Sequence, residues 1–481
     1  MSKGKILLVN PWIVDFAAYD FWIKPVGLLI IGSVLKENGY EVALLDCMDR
    51  NHPLFTKLTI RHGLKEKGDG RGRFYKEFIP KPAILKTVPR RFGRYGLPLD
   101  LVKKELEQLP APDMIFVTSG MTYWYPGVIE MISLLKGFFK KSPVVFGGIY
   151  ATLFLEHAKA LSGADRIVSG EGELEGLKIA DEITGNRSDI ERYRVFNDYP
   201  GPLYDCYPRL NSVALLTSRG CPFRCPFCAS ILLSKTYRRR NPSTVVDEIE
   251  ALFRKKGVRE FAFYDDALLY DKENHLVPLL EELIERNIKI HFHTPNGVQP
   301  GEIDQQVATL MRKAGFWTIR LSYETKNEKR QADMGFKVKD DDLINAVDHL
   351  TRAGFNRSEI GSYILMGLPG QELEEVIESM VFVLKLGIKV SLASFSPIPG
   401  TESWQDAIDS GIMPDDVDPL LTNSSVFSLL SKTICYKKSV KLGTLAAFAN
   451  KIVSVGGNPL NHPDFLYSLK KILKSDSNEL A

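Results

Sequence analysis

Three closely spaced cysteines are the residues of this chain whose types and spacing point most directly to chemistry. Cys221, Cys225 and Cys228 form a CxxxCxxC pattern that directly follows the apolar run 213–217. The run predicts a buried strand, so the three thiols are expected on the loop at its carboxyl end. Three thiolates at this spacing can hold three irons of a [4Fe–4S] cluster and leave the fourth iron open to a small molecule.

A structural zinc site is the main alternative interpretation of these cysteines. Such a site needs four ligands, usually supplied as two CxxC-type pairs, and no second pair lies near the triplet. Cys206 precedes the triplet without a partner, and Cys47 and Cys435 are isolated. The tight spacing, the six cysteines in all and the lack of a secretory signal argue against disulfides. The pattern therefore favours the iron–sulfur cluster.

The composition is that of a soluble globular protein large enough for two or three cores. The chain has 481 residues, of which 44% are hydrophobic and 25% are charged. The longest apolar stretch, residues 26–35, has about half the length of a membrane span, so no membrane span is expected. Free thiols and an oxygen-labile cluster predict a cytoplasmic location.

A basic segment interrupts the otherwise balanced charge. Residues 50–95 contain thirteen Lys or Arg against three Asp or Glu, a local net charge of +10. Aromatic residues and prolines are interleaved with the cations. The favoured interpretation is a solvated insertion or a lid, with binding of an anionic group such as phosphate, or of nucleic acid, as alternatives.

Residues 1–185 alternate predicted strands and helices. Apolar runs predict five strands, listed here in chain order: 5–10, 41–46, 114–118, 144–148 and 166–170. Such alternation predicts an α/β fold with a doubly wound parallel sheet, whose ligands lie beyond the carboxyl ends of the strands.

A second β/α series follows a linker at residues 186–210. Its six predicted strands are 213–218, 260–264, 288–293, 317–322, 358–364 and 389–394. Six such units within residues 211–404 predict a partial β/α barrel with its site at the carboxyl ends of the strands. Residues 405–481 are predicted to be mostly helical and carry no assignable motif.

The cysteine loop closely resembles the cluster motif of the radical S-adenosylmethionine (SAM) enzymes, and the six β/α units resemble their incomplete barrel. Residues 1–185 resemble the cobalamin-binding domain found ahead of many radical SAM cores. The segments that carry this resemblance are 10–11, 24–29, 146–149 and 169–173. The chain as a whole is therefore similar to a cobalamin-dependent radical SAM protein with a Rossmann-like amino-terminal domain. The resemblance implies three cofactors: a [4Fe–4S] cluster, SAM and cobalamin.

The resemblance also implies SAM-binding roles for residues at the strand ends. Phe227 matches the apolar position that packs against the SAM adenine. Asp265 and Asp266 end the second strand, where the family binds the SAM amino group. The sequence leaves open which of the two aspartates binds it, and helix capping is a competing role for at least one of them. Ser322 and Glu324 match polar positions that contact the SAM ribose or its amino-acid end.

Two further strand ends carry candidate SAM contacts. Gly367 and Pro369 belong to a Gly-Leu-Pro-Gly segment whose backbone approaches the adenine in the family, although such a segment is also a good turn. Asn296 follows the third strand and is the expected SAM or substrate contact there. His291 and His293 share one face of that strand, but no third metal ligand lies nearby.

Small and polar residues at the strand ends of residues 1–185 match the positions where the corrin and its nucleotide tail approach the backbone. These positions are Asn10, Thr118, Ser119, Gly120, Gly147, Gly148, Gly170 and Glu171. Glycine allows close ligand approach, while the alternative is that these are the tight turns any such sheet needs. The DxHxxG motif for a cobalt-binding histidine is absent, since His52 lacks the Asp and Gly spacing; no histidine ligand to cobalt is expected from this segment.

The implied activity is that of a radical SAM enzyme whose three cysteines act by holding the cluster. SAM would be cleaved to a 5′-deoxyadenosyl radical, and a methyl group would pass from cobalamin to an unactivated carbon. Cobalamin-linked cyclisation or rearrangement, and a non-catalytic cobalamin or iron–sulfur protein, are the alternatives. An electron donor such as flavodoxin or ferredoxin is the expected partner and nucleic acid is not expected; no residue identifies the substrate.

Overall fold

The computed structural model describes residues 2–55, 67–335, 337–430 and 434–474, and the chain divides into two compact units. Unit 1 comprises Met1–Leu216, Leu232–Asn241 and Glu248–Phe261. Unit 2 comprises Thr217–Ile231, Pro242–Asp247 and Ala262–Ala481. Among the described residues, no helix is both long and apolar enough to span a lipid bilayer.

The first sheet confirms the predicted α/β architecture. The strands of this part of the chain are β1 Lys5–Asn10, β2 Ile13–Asp15, β3 Tyr19–Asp20, β4 Glu41–Asp46, β5 Gly72–Arg73, β6 Lys76–Phe78, β7 Gly93–Tyr95, β8 Met114–Val117, β9 Val144–Phe146 and β10 Arg166–Ile167. Five of them form a parallel sheet in the order β10-β9-β8-β1-β4. The order reverses between β1 and β8, so the carboxyl ends of these two strands flank the crevice where such sheets bind ligands.

Amphipathic helices cover this sheet. They are Val26–Glu37, Leu99–Gln108, Tyr125–Phe138, Ile149–Leu153, Leu155–Leu161 and Glu173–Thr184. Their apolar stripes pack on the apolar strands because both must leave water together. The resulting core includes Ile6, Leu8, Val34, Leu35, Met114, Phe116, Leu177 and Ala180.

The basic segment is folded where it is described. Its strand β7 pairs antiparallel with both β2 and β6, and Ala83–Leu85 forms a single 3₁₀ turn. Phe74 and Tyr95 are buried against Ile13 and Met48. Residues 67–95 are therefore packed into unit 1 by their aromatic side chains, while residues 56–66 of the segment lie outside the described residues.

The second sheet confirms the predicted six-stranded β/α series. Its six strands are β11 Ser212–Leu215, β14 Glu260–Phe263, β15 His291–His293, β16 Phe316–Glu324, β17 Ile360–Met366 and β18 Lys389–Ser394. Two short strands, β12 Ser218–Arg219 and β13 Arg238–Arg239, form a separate two-stranded sheet. The sheet order is β11-β14-β15-β16-β17-β18, which follows the chain order, as in a β/α barrel. The pairs from β15 to β18 are parallel, so their carboxyl ends meet at one edge.

Helices connect these strands and also form the carboxyl-terminal region. They are Ser230–Leu233, Pro242–Lys256, Leu276–Glu285, Gln305–Ala314, Glu328–Asp333, Asp340–Arg352, Leu373–Lys385, Glu402–Asp409, Ser424–Leu430, Tyr436–Ser454 and Pro463–Lys474. The amide of Asn450 exchanges two hydrogen bonds with the backbone of Val390, of 2.9 and 2.7 Å. Helix Tyr436–Ser454 thus satisfies backbone groups on the edge strand β18, which would otherwise be open to pairing.

Candidate functional site

The cysteine loop is tied to the core of unit 2 at its first residues. One carboxylate oxygen of Asp265, Oδ1, accepts hydrogen bonds from the backbone N–H of Thr217 at 3.0 Å and from the hydroxyls of Thr217 and Ser218 at 2.7 and 2.6 Å. The Thr217 hydroxyl also lies 2.8 Å from Nε2 of His275. All four side chains are buried. The start of the loop is therefore held by a buried polar network centred on Oδ1 of Asp265, while Oδ2 of the same carboxylate is buried without a hydrogen bond to any described residue.

The three thiols are free and partly accessible on this loop. A turn brings the last two together, because the N–H of Cys228 donates to the carbonyl of Cys225 at 3.0 Å. Burial raises the pKa of Cys221, and it raises the pKa of Cys225 to about 11, with the neighbouring thiols adding to both shifts. The thiols thus need a positive charge or a metal nearby to ionise.

The chemistry of the donor set, three thiols on one loop, fits an iron–sulfur cluster. In the described residues no three His, Cys, Asp or Glu side chains converge as the ligands of one ion would. Zinc needs ligands that meet at about 2.0–2.3 Å from one point. A four-iron cluster is a larger body, and three thiolates on one loop are a sufficient protein ligand set that leaves the fourth iron open.

The two adjacent aspartates have different environments. Asp265 is buried in the network below the loop, and burial raises its pKa to about 6. Asp266 lies on the exposed side, where it hydrogen-bonds Ser230 and acts electrostatically on Cys221. Ser230 Oγ lies 3.2 Å from the sulfur of Cys228. The structure therefore brings Asp266, and not Asp265, to the thiols.

Glu324 is aimed by an irregular end of β16. Its φ is +71°, an uncommon conformation for a residue with a side chain, and the register of β16 on β17 shifts between Ser322 and Glu324. Burial raises the pKa of Glu324, and the nearby ammonium of Lys337 partly offsets that rise. Backbone strain of this kind gathers at functional sites, where it re-aims a side chain.

Lys337 is a site residue that sequence reasoning missed. Burial alone would lower its pKa, but negative charge on Cys225, Glu324, Cys221 and Cys228 outweighs this effect and raises it. No motif surrounds this lysine, and it lies far from the cysteines in sequence. Only the tertiary fold brings it to them.

The Gly-Leu-Pro-Gly segment is shaped by a second missed residue, the fully buried Gln371. Its side-chain oxygen accepts from the N–H of Gly367 at 2.7 Å and from that of Leu368 at 3.3 Å. Gly367 has φ +94°, and no atom lies within 4 Å of the position a Cβ would take. The carbonyl of Pro369 accepts from Arg330 at 3.3 Å. The turn is therefore rigid and leaves open space beside Gly367.

Phe227, Asn296 and the histidine pair have separate partners within unit 2. Phe227 packs against the apolar cluster that contains Leu368 and Phe395. Asn296 is exposed and donates to the carbonyl of Tyr264 at 2.9 Å. His291 and His293 contact side chains of β16: the His291 ring centroid lies 4.0 Å from that of Trp317, and His293 Nδ1 lies 2.8 Å from the Thr318 hydroxyl.

The strand ends of unit 1 form a second candidate site, where the ends of β8 and β9 meet. The Ser119 hydroxyl donates to the carbonyl of Gly147 at 3.1 Å and accepts from the N–H of Tyr150 at 3.1 Å. Gly148 has φ +99°, and a Cβ there would lie 2.5 Å from the carbonyl oxygen of Ser119. The Gly170 N–H donates to the Thr152 hydroxyl at 2.9 Å. The ends of β8 and β9 are thus bound closely together.

The remaining predicted cobalamin contacts divide into two groups. Thr118 and Gly120 flank Ser119 at the end of β8. Asn10 and Glu171 are engaged elsewhere: the Asn10 amide donates to Asp46 at 2.7 Å, and Glu171 forms a two-point ion pair with Arg238. The structure therefore gathers the residues at the ends of β8 and β9, whereas the side chains of Asn10 and Glu171 serve internal contacts.

Known proteins share both the sequence and the fold. Residues 215–383 match the family model of the Radical SAM superfamily. The chain is 26% identical over 350 residues to an uncharacterised methyltransferase of Pyrococcus horikoshii, which covers 66% of this chain and 75% of that protein. It is 23% identical over 489 residues to the cytidylyl-2-hydroxyethylphosphonate methyltransferase of Streptomyces wedmorensis, covering 86% of this chain and 83% of the relative.

A solved structure with the same fold is that of TsrM, a radical SAM methyltransferase from Kitasatospora setae with cobalamin and a [4Fe–4S] cluster bound. The TM-score is 0.62 at 18% identity, over 89% of this chain and 82% of TsrM. The matched family segment contains all three cysteines and the strand ends as far as Pro369. Residues 215–383 therefore match the Radical SAM superfamily, a class that uses a [4Fe–4S] cluster and SAM, and the chain shares the fold of TsrM.

Proposed function

We propose that this protein is a cobalamin-dependent radical SAM methyltransferase acting on an unactivated carbon. The observation that carries the proposal is the tethered loop that presents three thiols at the strand ends of a segment matching the Radical SAM superfamily. Two observations support cobalamin-dependent methyl transfer: the close packing of the strand ends in unit 1, and the names of both relatives, which are methyltransferases. When bound, the cluster with SAM supplies radical chemistry, and cobalamin supplies methyl transfer.

The residues of unit 2 have distinct tasks in this proposal. Cys221, Cys225 and Cys228 hold the cluster and leave one iron for SAM. Asp266 accepts hydrogen bonds from the SAM ammonium, since a carboxylate favours a nearby cation. Glu324 accepts from the ribose hydroxyls or the amino-acid end.

The remaining SAM contacts come from less charged groups. The open space beside Gly367 admits the adenine edge to the backbone. Ser322, Asn296, Pro369 and Phe227 complete the SAM surroundings. Asp265 acts indirectly, because it fixes the loop that carries the cysteines.

The residues of unit 1 hold the second cofactor in this proposal. A Cβ at Gly147 would meet Val168 only at 3.5 Å or more, so the corrin tail can approach the backbone there, while Gly148 lets the end of β9 pack directly on Ser119. Thr118, Ser119 and Gly120 offer a hydroxyl-lined strand end beside them. We expect a low-potential flavodoxin or ferredoxin as electron donor and a cytoplasmic location.

Anaerobic purification with cobalamin, followed by cluster reconstitution, tests the proposal. The wild type should contain about four irons and a bound corrinoid by absorbance, and should form 5′-deoxyadenosine when reduced with SAM. Cys225→Ala should lose the cluster and 5′-deoxyadenosine formation. Cys435→Ala, which removes a thiol outside the loop, should retain both. Zinc alone, or no metal, in the wild type would refute the cluster assignment.

Methyl transfer is tested separately with SAM carrying a deuterated methyl group. Extracts incubated with the reduced enzyme should yield a product three mass units heavier than that made with ordinary SAM. An unlabelled product would instead indicate radical cyclisation or rearrangement. A reduced cluster that forms no 5′-deoxyadenosine would indicate a non-catalytic carrier.

A further inference from the structure

Lys337 places a positive charge beside the cysteine loop without belonging to any of the strand-end motifs. Its ammonium lies 5.7 Å from the centroid of the Phe223 ring, and Phe223 stands between Cys221 and Cys225. Its backbone carbonyl accepts a hydrogen bond of 2.8 Å from the side chain of Gln299. The lysine is therefore anchored at its backbone, while its side chain reaches the face of the loop that carries the thiols.

The groups on which Lys337 acts are negatively charged in a cluster site, and the loop also carries the cations Arg219 and Arg224. Cys221, Cys225 and Cys228 would each be a thiolate in a cluster site, and Glu324 adds a carboxylate. Lys337 interacts electrostatically with all four of these groups. Its side chain is half-buried, so these interactions are less screened than they would be between exposed charges.

We propose that the ammonium of Lys337 sets the reduction potential of the cluster by stabilising its reduced form. The inference rests on the proposed function, because it requires a cluster held by the three cysteines. Reduction adds one negative charge to a site that already carries several, and net charge is one of the factors that fix the potential of an iron–sulfur cluster. A fixed cation therefore makes reduction by a donor easier. Glu324 has the opposite sign and the opposite effect.

Redox titration of the reconstituted full-length protein, followed by electron paramagnetic resonance without SAM, tests this inference. Lys337→Met removes the charge but keeps the aliphatic side chain. At the midpoint potential of the wild type, the ratio of reduced to oxidised cluster in Lys337→Met should be about tenfold lower. This ratio corresponds to a midpoint that is lower by ~59 mV for one electron. Lys337→Arg should remain near the wild type, because it keeps the charge.

Two further variants separate a charge effect from a loss of structure. Glu324→Gln should shift the ratio of reduced to oxidised cluster in the opposite direction from Lys337→Met. Lys289→Met removes an exposed lysine just before the amino end of β15, away from the strand ends that carry the site, and should leave the midpoint unchanged.

The outcomes distinguish the two proposals. Iron and sulfide contents near four per wild-type protein, with equal midpoints for Lys337→Met and the wild type, would overturn the role of Lys337 and leave the proposed function intact. A wild type without a cluster would overturn both. If Lys337→Met binds no cluster, Glu324→Gln decides: a raised midpoint supports the charge effect, and an unchanged one refutes it.

Discussion

Replacing Gly148 by alanine should destabilise unit 1 and disturb its candidate cofactor site. The residue has φ +99° and ψ −166°, a combination that is essentially restricted to glycine. An added Cβ would lie 2.5 Å from the carbonyl oxygen of Ser119 and 2.7 Å from its nitrogen. Both are backbone atoms, so no side-chain rotation can relieve the contact.

The size of the effect follows from these two terms. A non-glycine residue in such a conformation costs roughly 1–3 kcal/mol. Displacing the backbone at Ser119, in an already close-packed interior, adds roughly 1–3 kcal/mol. Gly148→Ala should therefore lower the free energy of unfolding by about 2–6 kcal/mol, the sum of the two contributions. The displaced end of β8 should also weaken corrinoid binding.

Urea unfolding and the absorbance of bound corrinoid measure the two consequences. Gly137→Ala is a matched control, because Gly137 lies in helix Tyr125–Phe138 and nothing lies within 4 Å of its added Cβ. That variant should be stabilised by about 0.5–1 kcal/mol, since alanine favours a helix over glycine. If Gly148→Ala unfolds at the same urea concentration as Gly137→Ala, the close approach at Ser119 is wrong.

Three further predictions concern the support of the cysteine loop and of the Gly-Leu-Pro-Gly turn in unit 2. Asp265→Ala removes the acceptor below the loop, so hydrogen–deuterium exchange of residues 217–228 should accelerate by about tenfold or more, while the exposed Asp416→Ala should not change it. Burial raises the pKa of Asp265 from 3.8 to about 6, so the folded protein binds the Asp265 proton more tightly than the unfolded chain does. This proton therefore stabilises the fold fully below about pH 4, and the contribution is lost as the pH rises through 6. Urea unfolding of the metal-free protein should show that pH-dependent loss in the wild type but not in Asp265→Asn. Gln371→Leu removes the side-chain partner of three buried backbone groups, and each lost hydrogen bond should cost roughly 1–3 kcal/mol. An unfolding free energy within about 1 kcal/mol of the wild type would contradict the role of Gln371 in holding the turn.

Much of the architecture was predictable because it depends on local patterns. The apolar runs predicted all five strands of the first sheet and all six of the second, and the strand boundaries moved by a few residues at most for β14, β16, β17 and β18. The cysteine triplet identified the loop because its spacing is specific. The packing of residues 67–95 was not predicted, since prolines and cations in sequence suggested a solvated segment and gave no sign of the partners of Phe74 and Tyr95.

The candidate site was predictable only where chemistry resides in a motif. Lys337 and Gln371 escaped detection because their roles depend on contacts made across the fold. Asn10 and Glu171 were assigned from position alone, and the sequence could not show that Asp46 and Arg238 would engage their side chains.

The adjacent pair Asp265 and Asp266 shows how one short motif serves both structure and chemistry. The two residues follow β14 in irregular backbone, which places Asp265 in the interior and Asp266 on the exposed side. Asp265 binds the loop from the core, and Asp266 reaches Ser230 and the thiols on the exposed side. Loss of either would reduce activity, but for different reasons. Asp265→Ala should release the cysteines and lower iron content, whereas Asp266→Asn should keep four irons and raise the SAM concentration needed for half-maximal 5′-deoxyadenosine formation. Equal iron loss in both variants would show that the two aspartates act together in holding the loop.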